Sequence, residues 1–306
     1  MHSITRRNFV GALGAGAALS TLHLTRVPAA RAADSQPPVT KGLRLFFTGH
    51  SFHMFVVRLL DEIAEKAGIE GQKIVGKSGI GGSRVIQHWD VADEKNEAKR
   101  LLSEGKIDVL TLAPIWLPDE GIQNFVHLGL EHNPKLRITI QEFWLPNDEY
   151  HPVYPLEVRK GCDHNATSLV ELQKAQDAYD HDLGAVVKDL NKEAGKNAVF
   201  LVPVGQAAIA LREKIVAGKA PGLKEQADLF RDPWGHPTAA LQLLSAYCHF
   251  AVFYRRTPVG IPVISILETL KDVSDDDKEK LNLLLQELAW NAVTEHPLSG
   301  VSRESE

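Results

Sequence analysis

A serine, a histidine and an acidic residue stand at positions where they could form a catalytic triad. Ser51 lies in the run Phe47-Thr48-Gly49-His50-Ser51-Phe52, and His236 lies far downstream, with Asp232 shortly before it. In such a triad the serine attacks an acyl carbon, the histidine takes and returns the proton, and the acid orients the histidine. The residue types therefore indicate acyl transfer.

The pattern around Ser51 predicts a strand followed by a helix. Residues 43–47 form a strongly apolar run that predicts a buried strand, and an amphipathic helix is predicted from Phe52 to Gly68. A serine at this junction would lie at the carboxyl edge of a parallel sheet, where open α/β folds bind their ligands. It would also lie at a helix N-terminus, whose free N–H groups favour negative charge.

A glycine cluster, Gly79-Ile80-Gly81-Gly82-Ser83, follows the second predicted strand and opens a helix. Glycine allows the backbone to approach a ligand closely. The amide of Gly82 could therefore complete an oxyanion hole with the amide of Ser51. The alternative is an ordinary tight turn. Neither a phosphate loop nor a dinucleotide fingerprint fits the spacing.

Strand and helix patterns alternate along the chain and predict a doubly wound α/β sandwich with a mostly parallel sheet of five strands. The predicted strands cover 43–47, 72–75, 107–112, 136–143 and 198–204, and the predicted helices cover 52–68, 85–103, 119–131, 165–194, 206–217 and 238–254. We expect Asn165 or Thr167 to cap the long helix. Residues 144–163 show no periodicity and are long for a connection, which indicates a functional loop or a lid.

The N-terminal residues predict export. Thr5-Arg6-Arg7-Asn8-Phe9 precedes a short apolar run, and Ala30-Arg31-Ala32 is a small-residue cleavage pattern. We interpret residues 1–32 as a twin-arginine-type signal peptide read by the twin-arginine export machinery, which places the mature protein in the periplasm or outside the cell. A retained membrane anchor is the alternative. Residues 33–41 then form a flexible leader, and 42–306 form one domain with a C-terminal helical appendage at 257–306.

The charge of the chain argues against some classes of binding partner, and its apolar runs and cysteines bear on membrane spans and disulfides. The net charge is −5, and the predicted signal holds four arginines and no acid, so the mature chain carries about −9. Nucleic acid and anionic membrane surfaces are poor partners for such a chain. No second apolar run reaches bilayer length, so no membrane span is expected after signal removal. An oxidising periplasm permits a bridge between Cys162 and Cys248, and the alternative is that both stay free, with Cys248 a small buried hydrophobe.

These motifs carry a resemblance to a known superfamily. Gly49-His50-Ser51, the glycine cluster at 79–83, and Asp232 with His236-Pro237 resemble the SGNH, or GDSL-type, hydrolases over about residues 42–256. Gly-x-Ser-Phe and the later Gly-Gly-x4-Gln-His-Trp resemble an uncharacterised bacterial secreted branch. The resemblance implies a three-layer flavodoxin-like sandwich and serine ester hydrolysis without metal or cofactor. It implies Ser51 as nucleophile, His236 as base, Asp232 as its partner, and Gly82 as oxyanion donor with Gly81 as second choice.

The chain departs from the superfamily pattern in three places. His50 precedes the serine where an acid is usual, and we expect it to line the substrate pocket. The usual asparagine after the third strand is missing, because that strand runs into Ala113-Pro114-Ile115-Trp116. The acid stands four residues before the histidine instead of three, which leaves Asp228 as an alternative partner. The residues that could replace the missing oxyanion donor are Asn124, Gln141 and Asn147.

The combined hypothesis is an exported serine esterase that removes small acyl groups, such as acetyl, from a carbohydrate or polyol. Aromatic residues near the predicted carboxyl-edge loops suit a sugar ring; they are Trp89, Trp116, Trp144 and Trp234. His50, His53 and His88 with Asp90 could suggest a metal site, but no zinc motif supports one. The alternatives are a non-catalytic glycan-binding protein on a decayed hydrolase scaffold and, third, a phospholipase or thioesterase.

Overall fold

Five parallel strands form one sheet in the order β2-β1-β3-β4-β5 in this computed structural model. The strands are β1 (Arg44–Gly49), β2 (Lys73–Gly79), β3 (Val109–Leu112), β4 (Arg137–Glu142) and β5 (Val199–Pro203). Strands β3, β4 and β5 are buried along their whole length, as expected for a sheet covered on both faces. The predicted α/β fold with a five-stranded sheet is therefore confirmed, and the sheet is wholly parallel.

The structure describes residues 37–150 and 161–303. The predicted signal peptide, part of the predicted leader and residues 151–160 of the predicted loop at 144–163 lie outside these residues. Everything described here belongs to one compact unit that begins at Ala33. Among the described helices, none combines the length and apolar character needed to cross a bilayer.

Helices cover both faces of the sheet. They are α1 (Val56–Lys66), α2 (Val85–Trp89), α3 (Glu97–Ser103), α4 (Glu120–His132), α5 (Leu169–Ala194), α6 (Val204–Val216), α7 (Ala239–Tyr254) and α8 (Asp275–Glu295). Right-handed crossovers put α1 on one face and α3, α4 and α5 on the other, because the chain moves in opposite directions along the sheet after β1 and after β2. Helix α7 packs on α1, and α8 packs on α7 and α6.

Three predicted helix boundaries are wrong, each for a local reason. Residues 51–55 form turns before α1, and the amides of His53 and Met54 both donate to the His50 carbonyl. The predicted helix at 85–103 is two helices, because the Asn96 side chain donates to the His88 carbonyl and caps α3. Helix α5 starts later than predicted, because Ser168 accepts the Glu171 amide and forms the cap.

Both ends of the described chain pack on the body. Val39 donates its amide to the Tyr254 carbonyl at 2.8 Å, so residues 37–41 lie against the end of α7. Leu281, Leu285 and Leu288 of α8 are buried. Beyond α8, the Leu298 carbonyl accepts the Leu201 amide of β5 at 2.9 Å. The C-terminal segment therefore extends the fold at the edge of the sheet. Cys162 and Cys248 are both free.

Candidate active site

Ser51, His236 and Asp232 meet at the carboxyl edge of the sheet. Ser51 Oγ lies 3.0 Å from His236 Nε2, and His236 Nδ1 lies 2.8 Å from Asp232 Oδ2. Since the carboxylate accepts the proton of Nδ1, the lone pair of Nε2 faces the serine hydroxyl. Ser51 is exposed, so an ester carbon can reach it. The arrangement can transfer a proton from serine to histidine, which is the chemistry of a serine nucleophile.

A tight hairpin holds the histidine and the acid. Phe230 and Pro237 form a bridge, and the Arg231 amide donates to the His236 carbonyl at 2.9 Å. Gly235 closes the turn with φ +94°, a conformation that other residues rarely adopt. The backbone of this hairpin therefore fixes the position from which the imidazole projects.

Asp232 uses its two oxygens for different tasks. Oδ1 accepts the amides of Trp234 and His236 at 3.0 and 3.2 Å, which leaves Oδ2 for the imidazole. Partial burial acts to raise the pKa of Asp232, but the His236 and Trp234 amides and the imidazole outweigh it and lower that pKa below its ordinary value. Asp228 is occupied elsewhere, because its Oδ2 accepts the amides of Lys224 and Glu225. Of the two acids considered, Asp232 lies beside the histidine.

Two stacked aromatic rings, those of Phe52 and Trp144, support the His236 imidazole. The Phe52 ring meets the His236 ring edge-on, with centroids 4.8 Å apart, and stacks on Trp144 with centroids 5.2 Å apart. Trp144 Nε1 donates to the Gly235 carbonyl at 2.9 Å. Both aromatic side chains are buried. Phe52, directly after the serine, and Trp144, two residues after the end of β4, therefore connect the serine turn to the histidine hairpin.

The glycine cluster lies beside the serine. The Ile80 amide donates to the Gly49 carbonyl at 3.1 Å, which holds the cluster next to the end of β1. Gly82 has φ +60°, a left-handed backbone conformation that favours glycine. Gly81 and Gly82 are exposed and border the same cavity as Ser51. Within the described residues, neither the Ser51 nor the Gly82 amide donates a hydrogen bond to the protein.

His88 joins the two ends of this cluster. Its Nδ1 lies 2.7 Å from Ser78 Oγ, and its Nε2 lies 2.7 Å from Ser83 Oγ. Ser83 donates its hydroxyl proton to the Ile80 carbonyl at 3.0 Å, so it accepts from Nε2–H, and Nδ1 accepts from Ser78. Burial lowers the pKa of His88 to about 4, which keeps the ring neutral. Both nitrogens are occupied, so this ring is not available to a metal.

His50 forms part of the wall of the cavity. Its ring stacks on Phe143 with centroids 5.0 Å apart, and its Nδ1 accepts the Phe52 amide at 3.3 Å. Burial is the main cause that lowers the pKa of His50 to about 3. The imidazole is therefore a neutral, buried ring that spans from the end of β1 to the end of β4.

The cavity beside Ser51 has a volume of about 500 Å³ and is lined mainly by apolar and aromatic side chains. Trp234 stands at its rim with 42% of its surface exposed. Its other aromatic and apolar walls include Phe52, Ile115, Trp116, Phe143, Leu145, Pro146, Tyr150 and Tyr179. Two of the four tryptophans singled out by the sequence thus reach the cavity. Trp144 lies behind Phe52, and Trp89 packs on Phe125.

Of the three candidate replacements for the missing asparagine, only Asn147 lines the cavity. Gln141 is buried and donates to the Phe52 carbonyl at 3.1 Å. Asn124 is half-buried on α4, away from the cavity lining. Asn147 and Asp148 both have φ +55°, which is rare for two successive residues other than glycine.

A buried ion pair holds the strained turn after β4. The Arg212 guanidinium donates to both oxygens of Asp148 at 2.7 and 2.9 Å, and His164 lies 3.2 Å from the same carboxylate. His164 Nε2 also lies 3.3 Å from the Asp232 carbonyl, so the pair connects Asn147 to the histidine hairpin. With Cys162, Asp148 and His164 form a possible metal-ligand group. Because Arg212 already occupies both carboxylate oxygens, this group is poorly suited to a cation.

No protein-family model matches the chain, and no curated protein matches it. Among solved structures, a crystal structure of a proposed GDSL-like lipase from Parabacteroides merdae is similar, with a TM-score of 0.41 and 15% identity. The match covers 69% of this chain and 94% of that chain. Similarity at this level concerns the α/β fold at most and carries no argument about activity. The function must therefore be argued from the geometry of the site.

The sequence missed several residues that shape this site. Phe52 looks like an ordinary core residue, and Trp144 was predicted as a sugar platform rather than as a support behind Phe52. The Asp148–Arg212 pair joins segments that are distant in the chain. The Gln-His-Trp motif was a usable signal, because it singles out His88. Its role as a support for the glycine cluster emerges only from the contacts with Ser78 and Ser83.

Proposed function

We propose that this protein is a serine hydrolase of carboxylic esters that works through an acyl-Ser51 intermediate. One observation carries the proposal: the exposed Ser51 hydroxyl lies 3.0 Å from an imidazole whose other nitrogen is bound to a carboxylate. A serine with an oriented base beside a cavity is the arrangement that acyl transfer needs. The proposal agrees with the resemblance of the motifs to SGNH hydrolases.

The reaction follows from these contacts. Ser51 Oγ attacks the ester carbonyl carbon while His236 Nε2 takes the hydroxyl proton, and the carbonyl electron pair moves to its oxygen. Collapse of this intermediate breaks the bond to the alcohol oxygen, which receives the proton from His236. Water then gives a proton to His236 and attacks the acyl carbon. Release of the acid returns the proton to Ser51. Asp232 keeps Nδ1 protonated and stabilises the imidazolium.

The developing oxyanion needs donors near Ser51. The Ser51 and Gly82 amides are the first candidates, with Gly81 second, because these residues border the cavity and the amides of Ser51 and Gly82 have no acceptor in the described protein. Asn147 is the one candidate amide side chain in the cavity lining. Loss of one oxyanion donor typically lowers turnover by ~10²–10³, so the absence of the usual asparagine is consistent with a slow enzyme.

We further propose that the substrate is an ester of a carbohydrate or polyol and that the protein acts after export. His236 must reach the leaving oxygen, so the alcohol lies on the side of the histidine hairpin. There Trp234 presents a half-exposed indole on which a sugar ring can stack. The acyl group then occupies the apolar part of the cavity, which accepts acetyl and has room for longer chains.

Labelling by a fluorophosphonate tests this proposal directly. We expect the full chain to be labelled at Ser51, the Ser51→Ala variant to stay unlabelled, and only the former to hydrolyse p-nitrophenyl acetate. The missing asparagine also favours the non-catalytic glycan-binding alternative. An unlabelled wild-type chain that binds immobilised polysaccharide would support that alternative and contradict the hydrolase. Esters of two to ten acyl carbons would then define the preferred acyl length.

A further inference from the structure

A buried arginine lies at the opposite edge of the sheet from Ser51. Arg137 is the first residue of β4 and is 8% exposed. Its guanidinium lies 3.6 Å from the centroid of the Phe200 ring, and its Nη2 donates to the Ser299 carbonyl at 3.1 Å. In residues 37–150 and 161–303 no carboxylate pairs with it, and its Nε, which is itself shielded from solvent, has no acceptor. Burial, aided by Arg255, lowers the pKa of Arg137 to about 9.

The cavity beside Arg137 is cationic. It has a volume of about 790 Å³, and its lining includes Lys135, Arg137 and Lys196 but no acidic residue among those described. The whole chain has 39 acidic and 34 basic residues, so a cavity with three cations and no acid stands out. The end of α5 also borders it, and helix C-termini favour cations. Attraction for an anion would therefore come from the three side chains.

The chemistry of the Arg137 guanidinium indicates what kind of group would pair with it. A buried charge is costly unless an opposite charge pairs with it. The planar fork of arginine fits the oxygens of phosphate and carboxylate groups, and a lysine adds a point charge at the rim. We propose that this cavity binds a small molecule carrying a doubly charged, phosphate-type oxyanion, with Arg137 as the anchor and Lys135 and Lys196 at the rim. The site is separate from the esterase site, because β4 runs from one to the other.

Calorimetric titration of the full chain with inorganic phosphate, at fixed ionic strength set by chloride, tests the proposal. We expect saturable binding of one phosphate, and at least tenfold weaker binding in Arg137→Met. Arg137→Lys should bind severalfold more weakly than wild type, because it keeps the charge but loses the fork. A parallel titration with citrate separates phosphate preference from binding of any polycarboxylate.

Two controls keep the experiment decisive. Lys135→Gln with Lys196→Gln leaves the buried arginine in place, so it should fold normally and still weaken phosphate binding severalfold. Lys188→Gln, an exposed lysine on α5 outside the cavity, should bind as wild type does. Labelling Ser51 with a fluorophosphonate should leave the affinity unchanged. No saturable binding by wild type, or equal binding by the double-lysine variant, would overturn the proposal.

Discussion

His88 Nε2 lies 2.7 Å from the hydroxyl of Ser83, and this contact holds the glycine cluster that borders the same cavity as Ser51. We expect His88→Ala to lower kcat by about tenfold or more, with a smaller change in KM, because a displaced oxyanion donor weakens the transition state more than the bound ester. His88→Gln can restore one of the two contacts and should recover part of kcat. Steady-state kinetics on one chromogenic ester measures both. A loss of kcat fully explained by a lower folded fraction would argue against this role.

Substitution of Gly82 or of its neighbour Gly81 by alanine gives a matched pair of variants. A methyl group meets no atom within 4 Å at either position, but only Gly82 has a positive φ, of +60°. Gly82→Ala should therefore cost about 1–2 kcal/mol of backbone strain and lower kcat, because the donor amide shifts. Gly81→Ala should stay near wild type in thermal stability. Equal effects at both positions would contradict the assignment of Gly82 as the first donor.

Substitutions at Asp232 and Asp228 show which of these two acids is the partner of His236. Asp232→Asn should lower kcat by roughly 10³–10⁴, because the amide no longer favours the useful tautomer of the imidazole. Asp228→Asn removes an acceptor of the Lys224 and Glu225 amides, so it should affect stability more than turnover. Kinetics of both variants, normalised to the labelled serine, checks this. A larger kinetic loss at Asp228 would reverse the assignment.

Buried neutral histidines should make the protein sensitive to acid. Burial lowers the pKa of His50 to about 3 and those of His88 and His249 to about 4, and it also lowers that of His53. Between about pH 6.5 and 4 the unfolded chain binds more protons than the folded one, so the free energy of unfolding falls as pH falls. Each histidine contributes about 1.4 kcal/mol per pH unit in that window. Glu142, whose pKa burial raises to about 7, acts in the opposite direction.

Urea unfolding at pH 7 and pH 5 measures this dependence. His249→Phe should weaken the pH dependence of the free energy of unfolding, because it removes one of these buried neutral histidines. His249 suits this test because it is buried in α7 and contacts His53 rather than the candidate triad. A free energy of unfolding that stays constant over the same range in the wild type would contradict the prediction.

The sheet was predictable because its strands are short apolar runs between turn residues. Strands β3 and β5 are buried on both faces, and their sequences are nearly continuous apolar runs. Strand β4 is equally buried, although only Ile138 and Ile140 of its six residues are apolar. The break between α2 and α3 was not predictable from periodicity, because it depends on one asparagine that bonds a carbonyl eight residues earlier. Local patterns locate elements, whereas a single polar side chain decides where a helix stops.

The candidate triad was partly predictable for a related reason. Ser51 and His236 each follow a recognisable local pattern, and parallel strands bring their carboxyl ends to one edge. The supports of the triad were not predictable in this way. Arg212 and Asp148 form their pair across distant segments, and nothing local in either sequence indicates a partner. Arg137 likewise looks like an ordinary strand residue until its burial beside Phe200 is known.

The bond between the Leu298 carbonyl and the Leu201 amide has a consequence for solubility. Strand β5 is an edge strand, and unpaired edges invite association with the edges of other molecules. The chain after α8 shields part of that edge, while β2 at the other edge carries Lys73 and Lys77, which are exposed and discourage pairing. A truncation after Glu295 would bare one flank of the sheet, and the resulting protein should self-associate at concentrations where the full chain stays monodisperse.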